Sequence, residues 1–557
     1  MPPTFLIRKV GKRISHRNTP IYSGKVLRFQ RTFYKKSFGR SLGQTPQHSI
    51  LARFLGFKGL LEESPLADLI KRRGTVRENQ YESLKHIFEE LFCGMSDFNI
   101  RELNFPNAKF AVIYISNHSS KEMINKFVIT PISEAYLRGG AENPIEDIVV
   151  NSGFSAAKSI DEAREAVLAG NSLLIFETMG AAIFGYICAT RNEEGRGNEE
   201  PQTENVIRGA HDGFNESAEQ SAMLIRRRIK SEKLKSEKMT IGSLTKTDVI
   251  IMYISDIVNT SALEILRKRL SDMKTDAVID SGSVEMYIQD GKNALYPTVG
   301  NSERPDKVAA KILEGRIAVI VDGSPVVLTV PYLFCEGIQV SEDYWKSSFY
   351  ASFMRILRFV SFALTIYLPV FFVAVMMYHE SLLPEGMLFY IKASRENIGF
   401  SVFWEVIVAF LIFEILREVG LRMPKSVGSA MGIVGSLILG ESAVEAGIVS
   451  PFVLILVAFC AVCNFIAAPY MNPNTIYRFL LIVFAGAAGL FGVFAAIAVS
   501  LLVICSKTSF GVPYFAPLAP MSAEGLRDFL YMAPIWRMKK VPPSVSGRNI
   551  IRTEGKK

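Results

Sequence analysis

The side chains best placed to do chemistry in this chain are carboxylates inside otherwise apolar stretches. Glu405, Glu414 and Glu418 fall within 401–419, together with Arg417. Glu441 and Glu445 fall at the end of a glycine-rich stretch, 426–449. A charge placed in hydrocarbon is costly, so it lines a pathway or pairs with a partner. Glu414 and Glu418 are one helical turn apart, and Glu414 and Arg417 stand at i,i+3, a spacing that allows a salt-bridged face. Glu405 lies nine residues before Glu414; nine steps of about 100° put it on the opposite face. Glu405 is therefore the more isolated charge. The alternative for this segment is an amphipathic helix lying at an interface with its carboxylates in water.

The elements that must hold these residues divide the 557-residue chain in two. Roughly the first 350 residues are charged and soluble in character, and those from Phe359 to Cys505 are membrane-like. A mean hydropathy of +0.21 fits such a hybrid. Phe359–Met377 is long and apolar enough to span, with Arg355 and Arg358 just before it. By the positive-inside rule those arginines place the soluble part in the cytoplasm. The second segment is 401–419. In the third, Gly428, Gly432 and Gly435 give a small-residue face carrying a G-x-x-x-G. That segment either packs around the axis of an oligomer, with Glu441 and Glu445 at its end, or forms a re-entrant hairpin. Phe452–Ala468 reads as a plain span. Phe479–Ile504 reads as one long span with Gly486, Gly489 and Gly492 on a packing face. Four full spans would return the chain to the cytoplasm, in keeping with the basic end around Arg537–Lys540 and Arg548–Lys557.

The soluble part repeats an order of elements. A strand at Phe110–Ser116, a helix at Ile160–Ala169, Gly170 and a strand at Ser172–Phe176 are echoed later. The counterparts are Val249–Ser255, Lys307–Glu314, Gly315 and Ile317–Val321. Each repeat ends a helix on a C-cap glycine and enters a buried apolar strand. The expected fold is an α/β cytoplasmic region of two duplicated-looking lobes followed by an all-α polytopic membrane domain. Its parts are a basic arm over 1–79, lobes over 80–200 and 201–350, a membrane domain of four to five helical segments over 351–510, and a basic tail over 511–557. No acidic residue precedes Glu62, while eleven basic ones run from Arg8 to Arg40. That arm suits an anionic membrane surface or a partner, and a transit peptide would look similar.

Arg226, Arg227 and Arg228 lie between the lobes. Without an aromatic platform or a reader motif they point to a solvated or subunit-facing helix, not to nucleic acid. The six cysteines offer no disulfide framework, and Cys460 and Cys463 read as small buried hydrophobes in a helix. No Walker A, H-E-x-x-H, G-x-S-x-G or kinase signature is present. Enzymatic function, a metal and a cofactor are therefore not expected.

A family resemblance rests on many motifs in order. They include 207–216 (Ile-Arg-Gly-Ala-His-Asp-Gly-Phe-Asn-Glu), 303–306 (Glu-Arg-Pro-Asp), 322–325 (Asp-Gly-Ser-Pro), 413–424 (Phe-Glu-Ile-Leu-Arg-Glu-Val-Gly-Leu-Arg-Met-Pro), 447–451 and 509–514. Over roughly 80–530 the chain resembles the A-subunit family of bacterial spore germinant receptors, the GerA/SpoVAF group. It departs from that pattern at Ala210, His211, Ser221 and Ser302, and at Phe410, a position often held by a carboxylate. The resemblance implies a multi-pass protein of the spore inner membrane. It implies a transporter-like B subunit and a lipoprotein C subunit as partners, and a homo-oligomeric ring that conducts cations when nutrient binds. Glu405, Glu414, Glu441 and Glu445 are then the candidate pathway residues. A non-conducting scaffold that relays a partner's signal, and an accessory paralogue, are the alternatives.

Overall fold

The computed structural model describes residues 80–551, apart from 107, 138–143, 178, 180–182, 193–199, 202, 205, 207, 292–293, 424–439, 467 and 547–550. The basic arm and the glycines Gly428, Gly432 and Gly435 therefore lie outside the described residues.

Two five-stranded sheets carry the first part. Strands β1 (Phe98–Phe105), β2 (Ala108–Ile115), β3 (Ser155–Ala156), β4 (Ser172–Phe176) and β5 (Tyr186–Cys188) form the first, in the order β1-β2-β4-β5-β3. Strands β6 (Leu234–Ile241), β7 (Thr247–Ile254), β8 (Gly300–Ser302), β9 (Ile317–Val321) and β10 (Val327–Val330) form the second, in the order β6-β7-β9-β10-β8. The two orders are the same when each sheet is counted from its own first strand, and the pairings are antiparallel. The central strands β4 and β9 are buried at every position, as continuous apolar runs require.

Helix α1 (Gln80–Leu91) and helix α2 (Ile160–Leu168) pack on the first sheet. Ser159 caps α2 by accepting from the Glu162 amide at 3.1 Å. At its other end Gly170 takes φ +97°, and the Asn171 amide returns to the Ala166 carbonyl at 3.0 Å. The second sheet is served by α3 (Ala218–Arg228), α4 (Thr260–Ser271) and α5 (Pro305–Leu313). Helix α5 ends in the same way: Gly315 takes φ +94° and the Arg316 amide returns to the Lys311 carbonyl at 3.1 Å. Only a residue without a Cβ adopts this turn cheaply, so the paired glycines fix where each helix hands over to its buried strand.

The rest is mostly helical: α6 (Ser348–Tyr378), α7 (Glu385–Ser394), α8 (Val402–Arg422), α9 (Pro451–Ile466) and α10 (Met471–Ser506). Among the described residues two helices are long and apolar enough to cross a membrane, Ser348–Tyr378 and Ala468–Ser506; Pro451–Ile466 is apolar but shorter. Pro369 sits inside α6, but the chain breaks its helical path elsewhere. Ala488 (φ −135°) and Gly489 (φ +58°, ψ −143°) interrupt α10. Both ends of α10 meet the second lobe. Tyr470, just before it, donates to the Phe334 carbonyl at 2.5 Å. Ser509, just after it, donates to the Thr298 carbonyl at 2.7 Å. The expected single span over Phe479–Ile504 is thus two limbs that reverse at Gly489. A glycine turn there, invisible to hydropathy, is the physical reason.

The chain past α10 does not trail away. The short pair β11 (Thr508–Ser509) and β12 (Val512–Pro513) leads into a segment whose Phe529 and Val545 are buried with Leu333 and Cys335.

Candidate functional site

The carboxylates of the helical part fall into two groups. Glu405, expected to be isolated, is fully buried and fully engaged. Arg395, just past α7, donates from Nε to Glu405 Oε2 at 2.7 Å. The Ser450 amide and hydroxyl donate to Oε1 at 2.8 and 2.5 Å. Ser450 also caps α9 by accepting from the Val453 amide at 3.3 Å. One carboxylate therefore ties together α7, α8 and α9. Its guanidinium partner comes from outside the helix, where a periodicity argument could not find it.

Glu414 does pair with Arg417, at 2.8 Å and the expected i,i+3 spacing. It has a second cation besides: Arg478 of α10, at 2.9 Å, with Thr475 Oγ1 donating at 3.0 Å. Arg478 also lies over the Phe410 ring at 3.9 Å. Glu418 pairs with Arg422 at 2.7 Å on an exposed face. Glu441 and Glu445 are the other group, exposed in the helical turn at 440–445.

The arginine run on α3 makes contacts within the chain. Arg226 is buried, holds Asp97 through Nε and through Nη2 at 2.7 Å, and donates to Ser236 Oγ at 3.1 Å and the Leu234 carbonyl at 3.2 Å. Asp97 opens the first sheet and Ser236 lies in the second. Arg227 donates to the Asn192 carbonyl at 2.6 Å, again across the lobes, and Arg228 binds Asp212 at 2.6 Å. The run is an intrachain clamp. Burial of apolar neighbours on α3, from Ala222 to Ile225, pulls the helix between the sheets and carries the arginines with it.

Arg355 and Arg358, read from sequence as flanking charges, are buried at the foot of α6. Arg355 donates to Asp343 Oδ2 at 3.0 Å and to Asp528 Oδ1 at 2.8 Å. Arg358 binds Asp343 Oδ1 at 2.6 Å. Burial by itself would raise the Asp343 pKa, but Arg358 and Arg355 outweigh it and hold the carboxyl below its usual range. Tyr344 donates to Asp528 Oδ2 at 2.8 Å. A second buried cluster lies nearby: Glu336 binds Arg316 and Lys311, both at 2.9 Å. Burial would raise Glu336 as well; Arg316 and then Lys311 overcome it and keep it below the carboxylate range.

Sequence reasoning missed these joints because none of their pairs stands at the i,i+3 or i,i+4 spacing of a helix: Asp343 and Arg355 are 12 residues apart across two elements, and Arg355 and Asp528 are 173 apart. A cleft of about 690 Å³ beside them is lined by Lys307, Lys311, Arg316, Glu336, Tyr344 and Trp345 among others. Its charges are engaged in ion pairs, Lys311 and Arg316 with Glu336 inside the lining and Lys307 with Glu204 beside it. No group of three or more metal-ligating side chains occurs among the described residues.

What this arrangement can do is couple. The lobes are pinned to each other by Arg226 and to the helical part by Asp343 and Asp528, while Glu441 and Glu445 remain open to their surroundings.

The comparisons with known proteins agree on where such a chain belongs. The family model described as Bacillus/Clostridium GerA spore germination protein matches residues 82–544. Spore germination protein KA of Bacillus subtilis (strain 168) is 37% identical over 465 residues, covering 82% of this chain and 85% of that protein. The uncharacterized membrane protein YfkQ of the same organism is 33% identical over 462 residues, covering 82% and 89%. The N-terminal domain of the A subunit of the Bacillus megaterium spore germinant receptor GerK3, solved as a crystal structure, is 31% identical. It covers 46% of this chain and 96% of its own, with a TM-score of 0.36. A match that runs from residue 82 to residue 544 takes in both sheets and, but for the first two residues of α1, the helices described above, and the chain belongs to the GerA spore germination protein family.

Proposed function

We propose that this chain is the A subunit of a spore nutrient germinant receptor, and that as a homo-oligomer it forms the cation-conducting element that opens when nutrient binds. It acts in the spore inner membrane with a transporter-like B subunit and a lipoprotein C subunit, its lobes on the cytoplasmic side. Similarity to a spore germination protein and to a germinant receptor A subunit supports the role. The long apolar helices support the setting, as do exposed Ile455 and Val462 on α9 and Phe491, Phe494 and Leu502 on α10. An apolar surface of that extent suits lipid. We read the span count as four to five segments over 351–510, with α10 contributing a hairpin.

One observation carries the conducting part. Glu441 and Glu445 are exposed, whereas Glu405 and Glu414 are spent on arginines of the same chain. Glu441 and Glu445 are thus the pathway carboxylates in this reading, following in sequence the small-residue stretch of Gly428, Gly432 and Gly435, and Glu405 and Glu414 position helices. A ring of carboxylates at a pore favours cations. The test is cation efflux from liposomes holding this chain with its B and C partners. Glu441→Gln and Glu445→Gln should lower nutrient-triggered flux several-fold with the complex intact. Undiminished flux in both would take them out of the pathway.

A relay without conduction is the second reading, and the clamp of buried ion pairs between the lobes and α6 favours it. It forecasts that Glu441→Gln is silent while Asp343→Asn blocks the response.

A further inference from the structure

The cluster at Glu414 is out of balance. Two guanidiniums, Arg417 and Arg478, face one carboxylate. The Arg478 side chain is 1% exposed and that of Arg417 15%. Nε and Nη1 of both arginines are buried with no hydrogen-bond partner among the described residues. The Phe410 ring under Arg478 offsets part of its charge, but it supplies no oxygen to these four nitrogens. A net positive charge with unmet donors among apolar helices is expensive, so the site calls for one more anion.

Its surroundings say which kind. On α8 the exposed apolar neighbours of Arg417 are Ile415 and Val419, next to the exposed Glu418–Arg422 pair; on α10 those of Arg478 are Ile476 and Leu480. The cations therefore sit beneath an outer surface that is apolar on α10 and, on α8, apolar up to the Glu418–Arg422 pair, which closes on itself. They also lie near the helix ends that face the lobes: Arg478 is about 10 Å, seven residues at the helical rise, from the start of α10. That depth lies just inside the headgroup layer. Basic pockets between helices at this level take anionic headgroups. We propose that Arg417 and Arg478 bind the phosphate of an anionic phospholipid, whose acyl chains lie along Ile415, Val419, Ile476 and Leu480. The inference rests on the reading that α8 and α10 lie in a bilayer.

The test uses the full chain in nanodiscs of phosphatidylcholine, with or without phosphatidylglycerol, reading the thermal midpoint and the lipid that co-purifies. The wild-type chain should retain phosphatidylglycerol at about tenfold over its bulk share and unfold at a higher temperature with it. Arg417→Gln leaves a neutral Glu414–Arg478 pair, so it should lose both effects yet tolerate phosphatidylcholine better than wild type does. Arg417→Lys, which keeps the charge, should retain most of the enrichment. Equal enrichment and equal midpoint shifts in Arg417→Gln and wild type would overturn the assignment. So would inorganic phosphate reproducing the shift in phosphatidylcholine alone, since the ligand is then a free anion. A midpoint that rises with protein concentration whatever the lipid would overturn it too, because a second chain then supplies the anion. A chain that fails to enter the discs at all would defeat the bilayer reading beneath it, and is told apart by the empty discs.

Discussion

His118 shows what burial does to a single titratable side chain here. It is 1% exposed, with Nε2 3.2 Å from the Leu168 carbonyl and Nδ1 without a partner among the described residues. Burial lowers its pKa from 6.5 to about 4, and Arg226, Arg227 and Arg191 push the same way. The unfolded chain takes up a proton as pH falls through 6.5, while the folded chain resists until about 4. Stability from this group is thus full above pH 6.5 and drains as pH falls toward 4. The drop amounts to up to about 3 kcal/mol. His118→Asn should flatten that part of the profile: urea midpoints of mutant and wild type should converge between pH 6.5 and 4.5. Parallel profiles would mean that His118 is not the group that senses pH. The same scale shows how much of the site is legible from sequence. Glu414 and Arg417 are found by spacing, because a helix makes i,i+3 a contact distance. Arg478, 64 residues on, is found only by packing, as is Arg395 against Glu405 across a turn.

Among the elements, α10 departs furthest from what its composition announces. Hydropathy reads it as one span because both limbs are apolar; the reversal depends on the backbone of Gly489, at φ +58°. A Cβ at that residue would meet Tyr378 side-chain atoms at 3.0 to 3.1 Å, and Tyr378 itself donates to the Gly486 carbonyl at 2.6 Å. Gly489→Ala should therefore cost about 1–3 kcal/mol, part backbone strain and part displacement of Tyr378. Gly386→Ala, in α7 with nothing within 4 Å of the added carbon, should be neutral or mildly stabilising. Thermal midpoints of the two variants beside wild type decide it; equal losses would mean that the turn at Gly489 is not what shapes α10. By contrast β4 and β9 were legible, each a closed apolar run handed over by a C-cap glycine. Their common place in two sheets of one order follows from that repeated pattern.

For the whole molecule the question is how the parts are held together, and the answer runs through three buried guanidiniums: Arg226 between the sheets, and Arg355 and Arg358 at the foot of α6. Asp97 and Arg226 are 129 residues apart, so no local pattern announces them; the fold has to bring α3 between the lobes first. The two sides of this pair are unequal. Arg226 is 3% exposed and Asp97 21%. Asp97→Ala leaves a buried guanidinium without its carboxylate and should cost about 3–5 kcal/mol. Arg226→Ala leaves an aspartate that water can reach and that keeps Ser236 as a donor at 2.7 Å, so its cost should be clearly smaller. The double variant should recover part of the Asp97→Ala loss, giving a coupling energy of about 0.5–3 kcal/mol in a double-mutant cycle on denaturant midpoints. Additive losses would reduce the clamp to two independent contacts. If the coupling is found, then under the proposed conducting role nutrient-triggered efflux in Arg226→Ala becomes informative, because that variant loosens one lobe from the other while the joint at Asp343 and the exposed Glu441 and Glu445 are untouched. A slower response at unchanged final flux would then assign the clamp to transmission rather than to the pore.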